Sequence, residues 1–235
     1  MKWSVVIPAF NEAIRLPPYL DQIFEYFEGG AEPYEVLVVN DASTDATGDM
    51  LRAVSARQPA LRVLSHDVNH GKGGAVRAGM LAAKGDLRLF TDADGATPIA
   101  ELKRLEPAFA AGADVVIGSR ALRDPAVAVR ARPHRAVAGR VFNWVVTRAG
   151  VRGIADTQCG FKAFTAAATR RLFGPLETAG FGFDVELLLR ARAAGLRIVE
   201  VAVNWTDQAG SKVGVLTTGP TMILEILRAR WRVGR

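Results

Sequence analysis

EVLVVNDASTDATGDMLRAVSARQPALRVLS, residues 35–65, decides the fold class because two short apolar runs enclose a helical segment. The runs EVLVV and LRVLS are typical of buried strands, and we predict a helix over 45–58 between them. Two strands joined by a helix lie parallel in one sheet, since a parallel connection needs a crossover of this length. The stretch therefore predicts an α/β fold.

The same alternation continues on both sides of this stretch. We predict further strands at WSVVI, LRLFT, DVVIG and LRIVEVAV. We predict further helices at residues 16–27, Lys72 to Ala83, Ile99 to Ala111, Pro133 to Ala149, Thr165 to Phe173, Asp184 to Ala194 and from Pro220 onward. The pattern indicates one α/β domain with a mostly parallel sheet covered by helices.

The composition is that of an ordinary globular protein. The chain has 235 residues, of which 49% are hydrophobic, enough for one sizeable core. No run approaches the roughly 18 to 20 apolar residues of a membrane span, and the N-terminus leads into a strand without the order of a signal peptide. With Cys159 as its single cysteine, the chain is expected to stay in the cytoplasm.

The positive charge is concentrated in one window. Residues 120–152 contain eight arginines and one acid, Asp124, whereas the whole chain carries a net charge of +6. Guanidinium groups match phosphate oxygens two at a time, so the window predicts a phosphate site; a solvated arginine face is the alternative. A nucleic-acid-binding module is a second alternative. It needs interleaved aromatic residues, and Phe142 and Trp144 fit an apolar helix face instead.

Ligands of such sheets bind at the carboxyl ends of the strands, so the residues there indicate the chemistry. PAFNE follows the first strand and NDASTD the second, although both also suit turns and helix caps. Asp92 and Asp94 follow LRLFT, and residues two apart on an extended backbone project to the same side. Two such carboxylates repel each other unless they share a cation. The pair predicts a Mg²⁺ or Mn²⁺ site for a nucleotide diphosphate, with a simple DADG turn as the alternative.

Three other features of the sequence are weaker indications of function. GKGGAV, residues 71–76, suggests a phosphate-cradling loop but fits neither the P-loop nor the dinucleotide pattern. His66, His70 and His134 show no metal-ligand spacing, so we expect no structural zinc. Cys159 lies in DTQCGFK with no histidine nearby and is expected to pack as a small hydrophobe. Asp156 and Gln158 are the better ligands in that loop.

Seven motifs, in this order and spacing, resemble family 2 glycosyltransferases of GT-A fold: VVIPAFNE, VVNDASTDAT, NHGKGGAVRAGM, FTDADGATP, VVIGSRAL, DTQCGFKAF and FDVELLLRA. The resemblance covers roughly Val5 to Lys212. It is greatest to the dolichyl- and polyprenyl-phosphate β-glucosyltransferases, which are related to dolichyl-phosphate mannose synthases. It implies metal-dependent, inverting transfer of a hexose, with UDP-glucose the favoured donor, to a polyprenyl or dolichyl phosphate. A GDP-mannose-dependent mannose synthase and a soluble nucleotide-sugar enzyme of the same fold are the alternatives.

The resemblance also implies site residues. It places nucleotide-sugar contacts at Pro8, Phe10, Glu12, Asp41 and Asp92, joined by Lys72 of the glycine-rich stretch, and the metal on Asp92 and Asp94. It places acceptor contacts at Arg120, to which local charge and polarity add Arg132, Asp156 and Gln158. The catalytic candidates are Asp94, Arg120 and Asp184, the last as a general base or only a helix cap. Family members commonly have tyrosine in place of Phe10 and DDGS in place of residues 40–43, which leaves the base preference open.

The C-terminus suggests how the chain reaches a lipid. We divide the single domain into a nucleotide-sugar half at 1–118, an acceptor half at 119–217 and a basic terminal helix at 218–235. In that helix one side is expected to carry Met222, Ile223, Ile226 and Leu227, followed by Arg228, Arg230, Arg232 and Arg235. Such a helix suits a membrane interface, and Pro133 to Ala149 is a second candidate; core packing is the alternative for both. The chain is therefore expected to be peripheral on the cytoplasmic face of a membrane.

Overall fold

The computed structural model describes residues 1–30, 32–130, 151, 153–208 and 215–234, with the side chains of the last segment described from residue 221 onward. The helix predicted at 133–149 and the acceptor candidate Arg132 lie outside the described residues.

The described strands form one large sheet and one small one. The strands are β1 (Trp3–Ala9), β2 (Tyr34–Asp41), β3 (Leu61–His66), β4 (Leu87–Thr91), β5 (Val115–Ser119), β6 (Val129–Arg130), β7 (Phe161–Thr165), β8 (Ile198–Ala202) and β9 (Trp205–Thr206). The large sheet has seven strands in the order β3-β2-β1-β4-β7-β5-β8, and β6 pairs with β9. Strand β7 runs antiparallel to both neighbours, whereas the other pairs are parallel. The predicted mostly parallel sheet is confirmed.

Helices cover both faces of the large sheet. They are α1 (Leu16–Glu28), α2 (Thr47–Ser55), α3 (Gly71–Ala82), α4 (Leu102–Ala110, preceded by a 3-10 turn at Ile99–Glu101), α5 (Ala166–Phe173), α6 (Phe183–Ala193) and α7 (Val215–Val233). One core cluster joins the sheet to α1, α2 and α4, and the other joins it to α3, α5, α6 and α7. In α1 the apolar residues at helical spacing are all buried, namely Leu16, Leu20, Ile23, Phe24 and Phe27.

Strand β7 is the strand of the large sheet that the pattern of apolar residues did not predict, and the two short strands β6 and β9 were not predicted either. The β7 sequence FKAFT carries Lys162, and a lysine in the middle of a short run argues against a buried central strand. Lys162 is nevertheless fully buried, because its ammonium lies 2.6 Å from the carboxylate of Asp184 on α6. A partner distant in sequence therefore makes the strand possible.

The terminal helix differs from its prediction in two respects. The helix begins at Val215 and not at the predicted Pro220, so this proline lies inside the helix. Of the four apolar residues expected on one exposed side, Met222 and Ile226 are buried in the protein. The sequence pattern was misleading because α7 is apolar on two adjoining faces, one of which packs against α6.

Candidate active site at the carboxyl ends of the strands

A cleft of ≈ 420 Å³ opens where β1, β2 and β4 end and α3 begins. This is the edge of a parallel sheet at which ligands bind, because the connections diverge there and leave a crevice. The cleft brings together seven of the predicted site residues, namely Pro8, Phe10, Glu12, Asp41, Lys72, Asp92 and Asp94. They come from four separate segments of the chain, which the fold brings to this one edge of the sheet.

The loops after β1 and β2 are tied to each other. The side-chain oxygen of Asn11 accepts hydrogen bonds from the backbone N–H groups of Thr44 (2.8 Å) and Asp45 (3.3 Å). Asn11 has φ of 53°, in the left-handed region that asparagine tolerates better than most residues. Thus Asn11 shapes the wall of the cleft.

Glu12 is held by Arg15, a residue that the sequence analysis did not single out. The Arg15 guanidinium donates to both Glu12 carboxylate oxygens, at 2.6 and 2.8 Å. It also lies 4.0 Å from the carboxylate of Asp94, so one arginine connects the β1 loop with the aspartate pair. The i, i+3 spacing of Glu12 and Arg15 was the available sequence signal.

Asp41 is buried at the end of β2. Its Oδ1 atom lies 2.7 Å from Nδ1 of His66 and accepts a hydrogen bond from the backbone N–H of His70 at 2.9 Å. The backbone carbonyl of Asp41 accepts a further bond from the Asn69 side chain. Asp41 is therefore fixed in orientation while its side chain faces the cleft.

Asp92 and Asp94 both line the cleft, with 38% and 21% of their side chains exposed. Burial and the neighbouring charge of Asp92 raise the pKa of Asp94 above its ordinary value. A cation between the two carboxylates relieves this repulsion, and their hard oxygen atoms fit Mg²⁺ or Mn²⁺. The donor set therefore suits the predicted metal.

Lys72 is the cation closest to this pair among the described contacts. Its ammonium lies 2.7 Å from Oδ1 of Asp92, 5.9 Å from the ring centroid of Phe181 and 6.0 Å from that of Phe183. Burial alone lowers the pKa of Lys72, but the carboxylates of Asp92 and Asp184 outweigh it and raise that pKa. Lys72 thus stays charged beside the metal candidates.

The glycines around Lys72 serve packing rather than phosphate binding. The backbone N–H groups of Gly73 and Gly74 donate to the carbonyl oxygen of Ala179, at 2.7 and 3.3 Å. A Cβ atom at Gly73 would lie 2.4 Å from the carbonyl oxygen of Thr178. The suggestion of a phosphate-cradling loop is wrong for these two N–H groups, because a neighbouring loop already occupies them.

Arg120, Asp156 and Gln158 form a second cluster beyond the cleft lining. The guanidinium of Arg120 donates to both carboxylate oxygens of Asp156, at 2.7 and 2.9 Å, and stacks over the ring of Trp205. Burial by itself raises the pKa of Asp156, but Arg120 outweighs burial and holds that pKa below its usual value. The backbone N–H of Gln158 also donates to Asp156. The acceptor candidates are thus joined to one another.

Asp184 forms a buried ion pair. Its Oδ1 atom lies 2.6 Å from the ammonium of Lys162, which also donates to the carbonyl oxygen of Cys159 at 2.5 Å. Burial raises the pKa of Asp184. The helix-cap alternative is wrong, since the cap residue of α6 is Gly182 and no side chain caps it.

Lys162 was not among the predicted site residues, although it connects the cluster around Asp156 with the aspartate pair in the cleft. Its contact with Cys159 fixes the turn that precedes Gly160, and the Gly160 carbonyl accepts the backbone N–H of Asp92 at 3.1 Å. A Cβ atom at Gly160 would lie 2.1 Å from Oδ2 of Asp92. The glycine of DTQCGFK is therefore required by the close approach of a metal candidate, and Cys159 beside it is buried as expected.

Comparison with known proteins agrees with this architecture. The model of the family described as glycosyl transferase family 2 matches residues 4–173. The chain is 43% identical over 227 residues to a dolichyl-phosphate beta-glucosyltransferase of Drosophila melanogaster, a match that covers 91% of this chain and 69% of that one. It is 36% identical over 241 residues to the protein of the same description from Dictyostelium discoideum, covering 97% and 74%. A third such protein, from Trichomonas vaginalis, is 39% identical over 222 residues, covering 90% and 66%. The chain thus spans between about two thirds and three quarters of the length of these relatives.

Solved structures of low sequence identity share the fold. Glucosyl-3-phosphoglycerate synthase from Mycobacterium tuberculosis in complex with UDP superposes with a TM-score of 0.71 at 20% identity, covering 98% of this chain and 80% of that one. The same enzyme in complex with Mn²⁺ and UDP-glucose gives 0.72 at 20% identity, covering 97% and 78%. The sheet order and these neighbours identify the GT-A fold.

Proposed function

Since the chain belongs to glycosyl transferase family 2, we propose that it transfers glucose from UDP-glucose to a polyprenyl phosphate such as dolichyl phosphate, with inversion at the anomeric carbon. The observation that carries the proposal is the pair Asp92 and Asp94, which faces the same cleft as Asp41 and Lys72. The identity of 43% to a dolichyl-phosphate beta-glucosyltransferase supports the choice of sugar and acceptor.

At the donor end the residues bind and orient the nucleotide sugar and neutralise the charge of its diphosphate. Asp41 accepts a hydrogen bond from the base, while Pro8, Phe10 and Glu12 form the adjoining wall. Lys72 contributes positive charge where the diphosphate lies. Asp92 and Asp94 hold a Mg²⁺ or Mn²⁺ ion, which when bound stabilises the negative charge on the departing nucleotide.

At the acceptor end the arginines position an anion. Arg120 is preoriented by Asp156 and faces Trp205, so its direction is fixed before an acceptor arrives. Gln158 lies in the same loop as Asp156. Arg132 is included because it belongs to the arginine-rich window of the sequence. A phosphate monoester has a second pKa of about 6, so the attacking oxygen is already ionised near neutral pH. Because the acceptor needs positioning more than deprotonation, we assign Asp184 to holding Lys162 rather than to proton transfer.

The terminal helix offers a surface for the lipid bilayer. In the described residues no helix is both long and apolar enough to cross a membrane. On α7 four apolar side chains are 40 to 61% exposed: Ile223, Leu224, Leu227 and Trp231. Exposed Arg228 and Arg230 follow on the same helix. We therefore propose that α7 lies on the cytoplasmic leaflet, whose anionic lipids attract arginine by about 1 kcal/mol per side chain.

Donor binding by the purified chain tests the proposed chemistry. Calorimetric titration with UDP-glucose should show an affinity that Mn²⁺ raises by about tenfold or more, since the metal contributes at least about 1.4 kcal/mol. The double variant D92N/D94N should lose the effect of Mn²⁺, whereas D49N, a matched change at an exposed carboxylate on α2, should retain it. Tighter binding of GDP-mannose would favour the mannose synthase instead. Failure to bind any nucleotide sugar would contradict the proposal.

Liposome flotation tests the membrane surface separately. The full chain should bind anionic vesicles at low salt, and L227E/W231E should reduce that binding by placing charge in the exposed apolar stripe. L81E, at an exposed apolar residue of α3, is the matched control and should bind like the unchanged chain. A full chain that ignores anionic vesicles would contradict the membrane proposal and favour a soluble acceptor.

A further inference from the structure

A second group of metal-ligating side chains lies at the base end of the cleft. We propose that Asp41, His66 and His70 bind a zinc-type transition-metal ion, and that an ion held there excludes the nucleotide. One ligand atom from each of these residues lies within 4.8 Å of the other two, and no other such group of three occurs in the described part of the chain. The site is distinct in chemistry from the aspartate pair, which offers oxygen atoms alone.

The fold itself builds this cluster. The parallel register of β2 and β3 places Asp41 directly opposite His66, so both side chains emerge at the same edge of the sheet. His70 is the residue that precedes α3, and its backbone N–H is bound to Asp41. Strand pairing therefore brings Asp41 and His66 together, and the hydrogen bond from its backbone N–H to Asp41 holds His70 beside them.

The distances suit a metal ion of small radius. Oδ1 of Asp41 lies 2.7 Å from Nδ1 of His66 and 3.9 Å from Nδ1 of His70. Zinc bonds of about 2.0 to 2.2 Å place tetrahedral ligand atoms about 3.3 Å apart, between these two distances. The imidazole rings are 4.5 Å apart at 73°, and the side chain of His70 is 53% exposed. Movement of His66 away from Asp41 and of His70 towards it, by about 0.6 Å each, completes the geometry.

The ligand types select the metal. Two imidazole nitrogens and one carboxylate are the ligands of Zn²⁺ and similar transition metals, whereas Mg²⁺ and Mn²⁺ favour carboxylates and phosphate oxygens. Three protein ligands leave a fourth position for water. Asp41 and the first turn of α3 line the cleft, so that position adjoins the space for the nucleotide.

Exclusion of the nucleotide follows from the use of one carboxylate for two purposes. Under the proposed function, on which this part of the inference rests, Asp41 accepts a hydrogen bond from the base. A metal ion on Asp41 draws negative charge from that acceptor and places positive charge where a base N–H should approach. Metal and base therefore compete for the same carboxylate.

Calorimetry and visible spectroscopy on the metal-free full chain test the site without any activity measurement. Zn²⁺ should bind with one equivalent per chain, and Co²⁺ in its place should show the visible absorption of a four-coordinate ion. The double variant H66Q/H70Q should weaken Zn²⁺ binding by about 100-fold or more, because loss of an outer-shell partner alone costs about 10- to 100-fold and this variant removes two direct ligands. H134Q, at the remaining histidine of the chain, and D92N/D94N are the matched controls and should bind Zn²⁺ like the unchanged chain.

The outcomes separate the new site from the proposed function. Equal Zn²⁺ affinity in H66Q/H70Q and the unchanged chain would overturn the site and leave His66 as a residue that orients Asp41. Uridine has no phosphate to chelate the metal, so it tests competition directly; saturating uridine that leaves Zn²⁺ affinity unchanged would overturn the exclusion. If the chain bound Zn²⁺ through its histidines but showed no Mn²⁺-dependent UDP binding, the metal site would stand and the proposed function would fail.

Discussion

The donor end and the acceptor end of this molecule use carboxylates in opposite ways. At the donor end Asp92 and Asp94 face an open cleft with Lys72 and Arg15 as neighbouring cations, and burial together with the charge of Asp92 raises the pKa of Asp94. At the acceptor end Asp156 and Asp184 each have a cation of their own, Arg120 and Lys162 respectively. Carboxylates without a counterion each, such as the donor-end pair, are the better candidates for a metal site, whereas carboxylates that each have a cation are better suited to holding the surrounding structure.

Removal of a donor-end carboxylate should have the largest effect on activity and a small one on folding. Asp94→Ala is expected to reduce turnover by about 10²- to 10³-fold, because the loss of one preorganised electrostatic contact in a transition state has that size. Asp92→Ala should act similarly but less completely. Circular dichroism should show an intact fold in both. Unchanged Mn²⁺-dependent nucleotide binding in the double alanine variant would refute the metal assignment.

Removal of an acceptor-end cation should instead damage the fold. Lys162→Met leaves the Asp184 carboxylate buried without its partner, and breaking such a pair costs about 3 to 5 kcal/mol. Urea denaturation measures the loss in the free energy of unfolding. The double variant K162M/D184L, which removes both charges, should recover most of it. A single variant as stable as the unchanged chain would mean that the pair does not support the frame.

Substitution of Arg120 is expected to impair both activity and local structure, with a smaller effect than the two substitutions above. Arg120→Lys keeps the positive charge but loses the paired hydrogen bonds to Asp156. The orientation of the side chain is therefore impaired more than its electrostatic attraction for the acceptor phosphate. We expect the acceptor KM to rise about tenfold, the equivalent of about 1.4 kcal/mol, with donor affinity unchanged. Steady-state kinetics with each substrate varied in turn would show it. Equal damage to donor affinity would place Arg120 at the nucleotide end.

The smallest expected effect is on the pH dependence of stability, and its sign differs between the two ends. The pKa of Asp156 is lowered in the folded chain, so its stabilising contribution is present above the ordinary aspartate range and is lost as pH falls through the lowered pKa. The pKa of Asp94 is raised, so ionisation of Asp94 opposes folding as pH rises through the raised pKa. At neutral pH Asp156→Asn should therefore destabilise the metal-free chain, and Asp94→Asn should stabilise it. Thermal melts at several pH values measure both, and shifts of the same sign would contradict the comparison.

The sequence predicts the donor end better than the acceptor end for a physical reason. Buried parallel strands can be recognised from a short apolar run in the local sequence. The residues after each run, such as Asp92 and Asp94, must then meet at one edge of the sheet. Strand β7 and its buried Lys162 depend on Asp184, 22 residues away, and no local pattern reveals such a pair. The cluster of Asp41, His66 and His70 likewise depends on the register of β2 and β3, which places Asp41 opposite His66.

Transfer of labelled glucose from UDP-glucose to a polyprenyl phosphate in the presence of Mn²⁺ tests the central claim most directly. The reaction should yield a glucosylated lipid phosphate with the anomeric configuration inverted, and D92N/D94N should yield none above background. GDP-mannose in place of UDP-glucose should give less product. A chain that binds UDP-glucose with Mn²⁺ but transfers glucose only to a soluble phosphorylated acceptor, or only to water, would contradict the account.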